Sequence, residues 1–255
     1  MSLLKSASAN SMVAPFRDQN LLIDADDTLW ENNVYFEQAI AAFIEHLNHQ
    51  HYSPAEVRSF LNEVERQSVL EHGYGLHSFR RSLLRCFETL SHDPLTPERE
   101  QEIVRFTGVV EDHVIRLLPG VSETLPRLAE DHRLFLMTKG NFLEQTSKLK
   151  RSGLEQYFAG VEITVEKSAE AYRAVIEKFK LSEESTWMIG NSPKSDINPA
   201  LEAGLNAVFV PHANTWVLER DQIQTTPVGQ VCLQVERFAD LRGLFCSRNH
   251  AVPMV

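Results

Sequence analysis

The chain has 255 residues, of which 43% are hydrophobic, and it carries a formal net charge of -10 and three cysteines. This composition predicts a globular protein rather than a disordered one. The negative charge argues against nucleic acid or an anionic membrane as a partner, and no apolar run is long enough to span a bilayer. The cysteines are far apart and fit no metal or redox spacing, so we expect reduced thiols in a cytoplasmic protein.

The first residues of the chain contain one lysine followed by serines and alanines, without the apolar run of a secretory signal. Residues 1–19 are therefore predicted to form a flexible N-terminal arm. The first apolar run follows directly at Leu21–Ile23.

The segment 34–112 differs from the rest because it contains no convincing strand and carries apolar residues at helical spacing. Turn-forming residues near Ser53-Pro54, Gly73-Tyr74-Gly75 and Asp93-Pro94 divide it into three or four amphipathic helices. A helical block placed after the first strand indicates an inserted bundle. The strand–helix pattern resumes after Leu118-Pro119-Gly120.

Short apolar runs rich in β-branched or aromatic residues predict five strands, each covered on both faces as in a parallel sheet. These runs are Leu21–Ile23, Leu134–Met137, Val161–Val165, Trp187–Ile189 and Ala207–Val210. Helical stretches separate the later runs: Ser168 can cap a helix over 169–180, and Gly153 and Gly204 each follow a helical run. Alternating strands and helices predict an α/β fold with a parallel sheet.

Polar residues follow each of the five predicted strands. In an open parallel sheet the carboxyl ends of the strands form the ligand-binding edge, so these residues are expected to converge there. Carboxylates suit a magnesium ion or can attack phosphorus, while hydroxyl and ammonium groups neutralise phosphoryl oxygens. The residues concerned are Asp24, Asp26, Thr138, Lys167, Asn191, Asp196 and His212.

Four motifs in this order resemble those of the haloacid dehalogenase-like superfamily. Asp24-Ala25-Asp26-Asp27-Thr28-Leu29 resembles the first motif, Thr138 the second, Lys167 the third, and the segment 189–196 the fourth. The order of four motifs after four predicted strands is far more specific than an Asp-x-Asp pair alone. The resemblance implies a Rossmann-like catalytic core over 20–33 and 113–255, with 34–112 as a helical cap.

The resemblance also implies the roles of these residues. Asp24 would be the nucleophile, Asp26 the general acid and base, and Thr138 and Lys167 would bind the phosphoryl oxygens. Magnesium would be held by Asp24, by the backbone carbonyl of Asp26 and by the fourth motif, which supplies the Asn191 and Asp196 side chains. We therefore expect a Mg²⁺-dependent phosphatase that acts on a small phosphorylated metabolite.

Two positions bear on the alternatives. Dehalogenases of this superfamily generally lack the second aspartate, so Asp26 favours phosphoryl chemistry over cleavage of a carbon–halogen bond. Asn191 stands where the fourth motif usually has an aspartate, which removes one negative charge. A catalytically silent protein that binds a phosphorylated ligand therefore remains an alternative. A phosphomutase is another, since it forms the same aspartyl phosphate but returns it to a substrate. The sequence names neither the substrate nor the oligomeric state.

The cap and the last predicted strand offer candidates for substrate contacts. Tyr74 lies in a flexible turn that could fold over the site, and Arg80 beside it could meet a second anionic group. His212 follows the fifth predicted strand. Lys148, Lys150 and Lys178 are interpreted as solvated charges on helix faces.

Overall fold

A computed structural model describes residues 5–6, 15–47 and 51–246. Within these residues, seven strands form one parallel sheet in the order β1-β7-β6-β5-β2-β3-β4. They are β1 (Lys5–Ser6), β2 (Asn20–Ile23), β3 (Arg133–Lys139), β4 (Gly160–Thr164), β5 (Thr186–Gly190), β6 (Asn206–Phe209) and β7 (Cys232–Gln234). The predicted α/β fold is confirmed, and β2 lies at the centre between β3 and β5. The segments that follow these three strands therefore meet at one edge of the sheet.

In the described part of the chain, five helices cover the sheet on its two faces, which explains why the central strands β2, β5 and β6 consist mostly of apolar residues. Leu21 and Ile23 point to one face, where they pack with α6, and Leu22 points to the other, where it packs with α8 and α9. Burying each such side chain contributes roughly 1.5–3 kcal/mol. These helices are α6 (Val121–Asp131), α7 (Phe142–Ser152), α8 (Ala169–Phe179), α9 (Asn198–Glu202) and α10 (Leu241–Phe245).

The remaining helices form a separate layer, here called the helical insert, between β2 and α6. The capping box of Ser53 and Glu56 begins α2, and Gly73 ends it, so the predicted breaks coincide with the observed ones. The insert has its own apolar core, in which Phe43, Leu61 and Leu83 are fully buried. Its helices are α1 (Asn33–Leu47), α2 (Pro54–His72), α3 (Leu76–Leu90), α4 (Pro97–Phe106) and α5 (Gly108–Glu111).

Most of the predicted N-terminal arm, residues 1–4 and 7–14, lies outside the described residues. Within the remainder, Lys5–Ser6 pair with β7, and Phe16 packs on Trp187 with ring centroids 4.6 Å apart. No helix in the described part of the chain is both long and apolar enough to cross a membrane.

Candidate active site

A cavity of about 160 Å³ lies between the carboxyl edge of the sheet and the helical insert. All six residues predicted for catalysis or metal binding line this cavity. They are Asp24, Asp26, Thr138, Lys167, Asn191 and Asp196. Of the three residues predicted to contact substrate, Tyr74 lines it, whereas Arg80 and His212 do not. The four motifs are therefore brought to one place by the parallel pairing of β2, β3, β4 and β5.

Asp24 follows β2 and is buried at the base of the cavity. The Lys167 ammonium donates to Asp24 Oδ1 at 2.5 Å and to Asp196 Oδ1 at 2.7 Å, and its own side chain is 1% exposed. Burial raises the pKa of Asp24 to about 7, and the negative charge of Asp196 adds to this effect while Lys167 opposes it. One buried cation is thus shared by two buried carboxylates.

Asn191 follows β5, and its side chain lies next to the second carboxylate oxygen of Asp24. The Thr28 hydroxyl lies 2.9 Å from Asp24 Oδ2 and 3.2 Å from Asn191 Oδ1, so these two oxygens face each other across one hydroxyl group. The Asn191 amide nitrogen points away and donates to Thr215 Oγ1 at 3.0 Å. The orientation of the amide therefore presents its oxygen, the atom that coordinates cations, toward Asp24.

Asp196 is held by the wide helical turn Pro193–Ile197. Its second carboxylate oxygen, Oδ2, accepts a hydrogen bond from the Ser192 backbone N–H at 2.9 Å. A Cβ atom on Gly190 would lie 2.2 Å from the same oxygen, so only glycine at the end of β5 allows Asp196 to approach.

The donor set of these side chains fits a hard divalent cation. Two carboxylates and one amide oxygen meet around Asp24: Lys167 links its Oδ1 to Asp196 Oδ1, and Thr28 links its Oδ2 to Asn191 Oδ1. Magnesium prefers such oxygen ligands, usually one or two carboxylates together with water and substrate oxygens. Asp24, Asn191 and Asp196 could therefore hold Mg²⁺.

Asp26 is bound by a network that the sequence did not reveal. Lys148 donates to both of its carboxylate oxygens, at 2.9 and 2.8 Å, and Gln145 and Trp30 donate one hydrogen bond each. Burial by itself would raise the pKa of Asp26, but the charge of Lys148 and these hydrogen bonds lower it below its usual value. The interpretation of Lys148 as a solvated charge is wrong. Its spacing of three residues from Gln145 on α7 is the signal that could have identified it.

Lys139 is a second residue that sequence reasoning missed, although it directly follows Thr138. Its ammonium donates to Glu219 Oε1 at 2.7 Å, to Glu166 Oε1 at 3.0 Å and to the Tyr74 hydroxyl at 3.0 Å. The Tyr74 hydroxyl in turn donates to Glu166 at 2.7 Å. Tyr74 belongs to the insert and Lys139 to the sheet, so this cluster connects the two layers beside the cavity.

Two predicted substrate contacts lie elsewhere. Arg80 donates to Thr107 Oγ1 at 2.8 Å and pairs with Glu111, both within the insert, because its side chain leaves α3 on the face away from the cavity lining. His212 lies 3.7 Å from Asp27 and 3.8 Å from Glu31. Ligand atoms of these last three residues lie within 4.8 Å of one another, beside the main cavity.

Comparison with known proteins gives a family and several similar folds. A family model described as haloacid dehalogenase-like hydrolase matches residues 21–210. No curated protein sequence matches the chain. A haloacid dehalogenase-like family hydrolase from Xanthomonas campestris has 25% identical residues and a TM-score of 0.73, with 88% of this chain and 93% of that chain covered.

Two other solved structures share the fold but differ in the activity that they are named for. A predicted phosphoglycolate phosphatase from Haemophilus somnus 129pt is 18% identical, with a TM-score of 0.60 and coverage of 91% of this chain and 98% of that chain. The L-2-haloacid dehalogenase from Xanthobacter autotrophicus is 15% identical, with a TM-score of 0.58 and coverage of 88% and 96%. At these identities the likeness establishes the fold alone.

Proposed function

Since the chain belongs to the haloacid dehalogenase-like hydrolases, we propose that it is a Mg²⁺-dependent phosphatase of a small phosphorylated metabolite. The observation that carries this proposal is the convergence of Asp24, Asp26, Lys167 and Asp196 in one buried cavity. The cavity of about 160 Å³ lies between the sheet edge and the insert, which suits a phosphoryl group with a short organic part. The substrate is thus expected to be small.

In the proposed reaction, an oxygen of Asp24 attacks phosphorus and the bond from phosphorus to the leaving oxygen breaks. The electron pair stays on that oxygen, and Asp24 becomes an aspartyl phosphate. Lys167 lies within hydrogen-bond distance of the nucleophile, and Thr138 lines the same wall. Both can therefore neutralise the phosphoryl oxygens during attack.

Asp26 is proposed to protonate the leaving oxygen and then to remove a proton from the water that hydrolyses the intermediate. Its lowered pKa suits the second step, in which the carboxylate accepts the proton. An incoming phosphate dianion raises the pKa of a neighbouring carboxyl group, which favours the protonated form for the first step. The presence of Asp26 also supports phosphoryl transfer over dehalogenation, since a halide leaves without a proton.

Mg²⁺ would be held by the Asp24 carboxylate, the Asp26 backbone carbonyl, the Asn191 amide oxygen and Asp196. When bound, it supplies positive charge that offsets the repulsion between an anionic nucleophile and an anionic substrate. The amide of Asn191 keeps an oxygen ligand in place but contributes no charge.

We also propose that residues 34–112 act as a cap over a core formed by 20–33 and 113–255. The contact of Tyr74 with Glu166 and Lys139 supports this, as does Glu144, which accepts hydrogen bonds from the Leu76 backbone N–H at 3.1 and 3.3 Å. Both contacts flank the cavity, so the insert can exclude water from the reaction. Free thiols at Cys86, Cys232 and Cys246 are consistent with a cytoplasmic enzyme.

The test is release of inorganic phosphate from a panel of short phosphomonoesters by the purified protein, with Mg²⁺ and with EDTA. Asp24→Asn keeps the shape of the side chain but cannot form the phosphoenzyme, so it should lose all measurable turnover. Asp131→Asn, which makes the same exchange at an exposed position, is the matched control and should keep full activity.

Each alternative gives a different result in this test. Transfer of phosphate between two positions of a substrate without net release would indicate a phosphomutase. Halide release from a 2-haloacid without phosphate release would indicate a dehalogenase, and binding of phosphoesters without any turnover would indicate a silent binding protein. Any of these results, or undiminished turnover by Asp24→Asn, would refute the proposed function.

A further inference from the structure

The wall of the cavity opposite Asp24 is formed by the helical insert, and among its described lining residues one is charged, an acid. Glu65 on α2 lines the cavity, and its side chain is 7% exposed. Among the described residues that the insert contributes to the lining, none is basic. The side of the cavity that would contact the organic part of a substrate therefore carries one acid and no described base.

Glu65 is only partly neutralised by its neighbours. Arg58 donates to Glu65 Oε2 at 3.2 Å, but the same guanidinium also donates to Glu37 Oε1 at 2.6 Å. Two carboxylates thus share one cation, and the group carries a net negative charge when both are ionised. Burial raises the pKa of Glu65 to about 7, against the opposing effect of Arg58. A ligand cation would favour the ionised carboxylate.

Four aromatic rings line the same cavity as this carboxylate, and one of them, Trp216, donates a hydrogen bond to it. Phe36 and Phe79 lie edge to face with centroids 4.9 Å apart, and Tyr74 and Trp216 lie edge to face at 6.3 Å. All four rings line the cavity. Aromatic faces attract organic cations, and a carboxylate in the same cavity adds an opposite charge for an ammonium group.

The lysines of the cavity do not reverse this charge, because each is already paired. Lys139 contacts Glu166 and Glu219, whereas Lys148 contacts Asp26. Lys167 is shared by two carboxylates at the base of the cavity. Arg80, the residue predicted to meet a second anionic group, is turned away and paired with Glu111. A second anionic group on the substrate would therefore find no free cation in the described lining.

We propose that Glu65 selects substrates whose organic part carries a protonated amine, so that the preferred substrate class is a short aminoalkyl phosphate. This inference rests on the proposed phosphatase function and specifies the substrate of the same site. The ammonium group contacts Glu65 and the aromatic rings of the cavity, while the phosphoryl group lies at Asp24. Hydroxyl and carboxylate groups at the same position are weaker ligands, because neither supplies the missing positive charge.

The test compares ω-aminoalkyl phosphates of two to five carbons with ω-hydroxyalkyl phosphates of the same lengths and with phosphoglycolate. The amino and hydroxy esters have nearly the same shape, so their ratio of kcat/KM reports recognition of the charge. A charge-assisted hydrogen bond of roughly 1.5–3 kcal/mol corresponds to a preference of roughly tenfold to a hundredfold for the best amino ester. Phosphoglycolate should be the poorest substrate.

Glu65→Gln removes the charge and keeps the shape, and Arg58 retains Glu37 as a partner in this variant. The ratio of amino to hydroxy ester should fall by roughly tenfold or more in Glu65→Gln. Glu63→Gln makes the same exchange two residues away on α2, where the side chain is 55% exposed, and should keep the wild-type ratio. Because intrinsic reactivities cancel in the comparison of variants, leaving-group differences do not affect the result.

Binding to Asp24→Asn, measured by calorimetry with Mg²⁺ present, separates the two proposals. If no ester is hydrolysed by the wild type, the phosphatase function is wrong, yet tighter binding of an amino ester would still support Glu65 as the recognition group. If esters are hydrolysed but the hydroxy esters or phosphoglycolate are preferred, or bind as tightly as the amino esters, this inference is wrong and the phosphatase function stands. An equal loss of preference in Glu65→Gln and Glu63→Gln would also overturn it.

Discussion

Asn191→Asp tests whether the fourth motif faces the proposed metal. Asn191 Oδ1 shares the Thr28 hydroxyl with Asp24 Oδ2, so a carboxylate at position 191 would place its charge beside the Asp24 carboxylate, a proposed ligand of the metal. At about 4 Å and an effective dielectric constant near 20, each pair of unit charges contributes about 4 kcal/mol. Repulsion from Asp24 and Asp196 and loss of hydration offset most of this. We expect a net gain of about 1–2 kcal/mol in Mg²⁺ binding, or roughly 5- to 30-fold in Kd.

The same substitution has a cost in the protein without metal. The Asn191 amide nitrogen donates to Thr215 Oγ1, which itself lies 2.9 Å from the His212 carbonyl and donates to it. A carboxylate oxygen cannot replace that donor, which should lower stability by about 1 kcal/mol. Tm without Mg²⁺ should therefore fall, while the rise in Tm on adding Mg²⁺ should grow.

Calorimetric titration of Mg²⁺ into both proteins measures the affinity independently of turnover. Asn198→Asp is the control, since Asn198 is also buried and also loses a donor, its hydrogen bond to the Gln222 carbonyl. The control should show little change in Kd. An unchanged or weaker Mg²⁺ affinity in Asn191→Asp, or an equal gain in the control, would mean that Asn191 does not face the ion.

Three further substitutions test the general acid, the connection between the layers, and the core of the insert. Asp26→Ala should lower kcat roughly a hundredfold or more on an alkyl phosphate and far less on an aryl phosphate, whereas equal losses would contradict its role as the acid. Tyr74→Phe removes the hydrogen bond from the insert to Glu166 and should raise KM about fivefold with Tm nearly unchanged. An unaltered KM would contradict a role of Tyr74 in holding the cap over the core. Leu83→Ala, at a fully buried site, should cost about 2–5 kcal/mol of unfolding free energy in urea titration, against less than about 0.5 kcal/mol for Leu70→Ala, which is 81% exposed. Similar losses in both would show that the insert core is loosely packed.

The fold class, and the edge of the sheet at which the predicted residues lie, were readable from local patterns. Continuous apolar runs such as Leu134–Met137 predicted buried parallel strands, and the edge at which strands end follows from their direction alone. The resemblance to the haloacid dehalogenase-like superfamily is confirmed by the family match over residues 21–210. Strands β1 and β7 were missed because Lys5–Ser6 and Cys232–Gln234 are too short to show a periodicity.

The partners of each side chain were decided by tertiary structure. Lys148 and Lys150 are two residues apart on α7 and look alike in sequence, yet Lys148 contacts Asp26 and Lys150 is exposed. Arg80 follows a turn beside the cavity, but the rotation of α3 directs its side chain to Glu111. A position on a helix says which residues share its face, whereas the element that this face meets depends on packing between segments distant in the chain.

Local patterns were thus enough to identify which residues end the strands, because strand ends are local features and the four motifs follow each other in a specific order. The charge of the substrate-facing wall was decided only in three dimensions. Glu65 lies 41 residues after Asp24 in the numbering of the chain and has no motif of its own. Glu65 lines the cavity because of how α2 packs in the fold. There its carboxylate accepts hydrogen bonds from Arg58 of the same helix and from Trp216, a residue distant in the chain. Long-range packing brings such a residue to the site, and no local spacing encodes that contact.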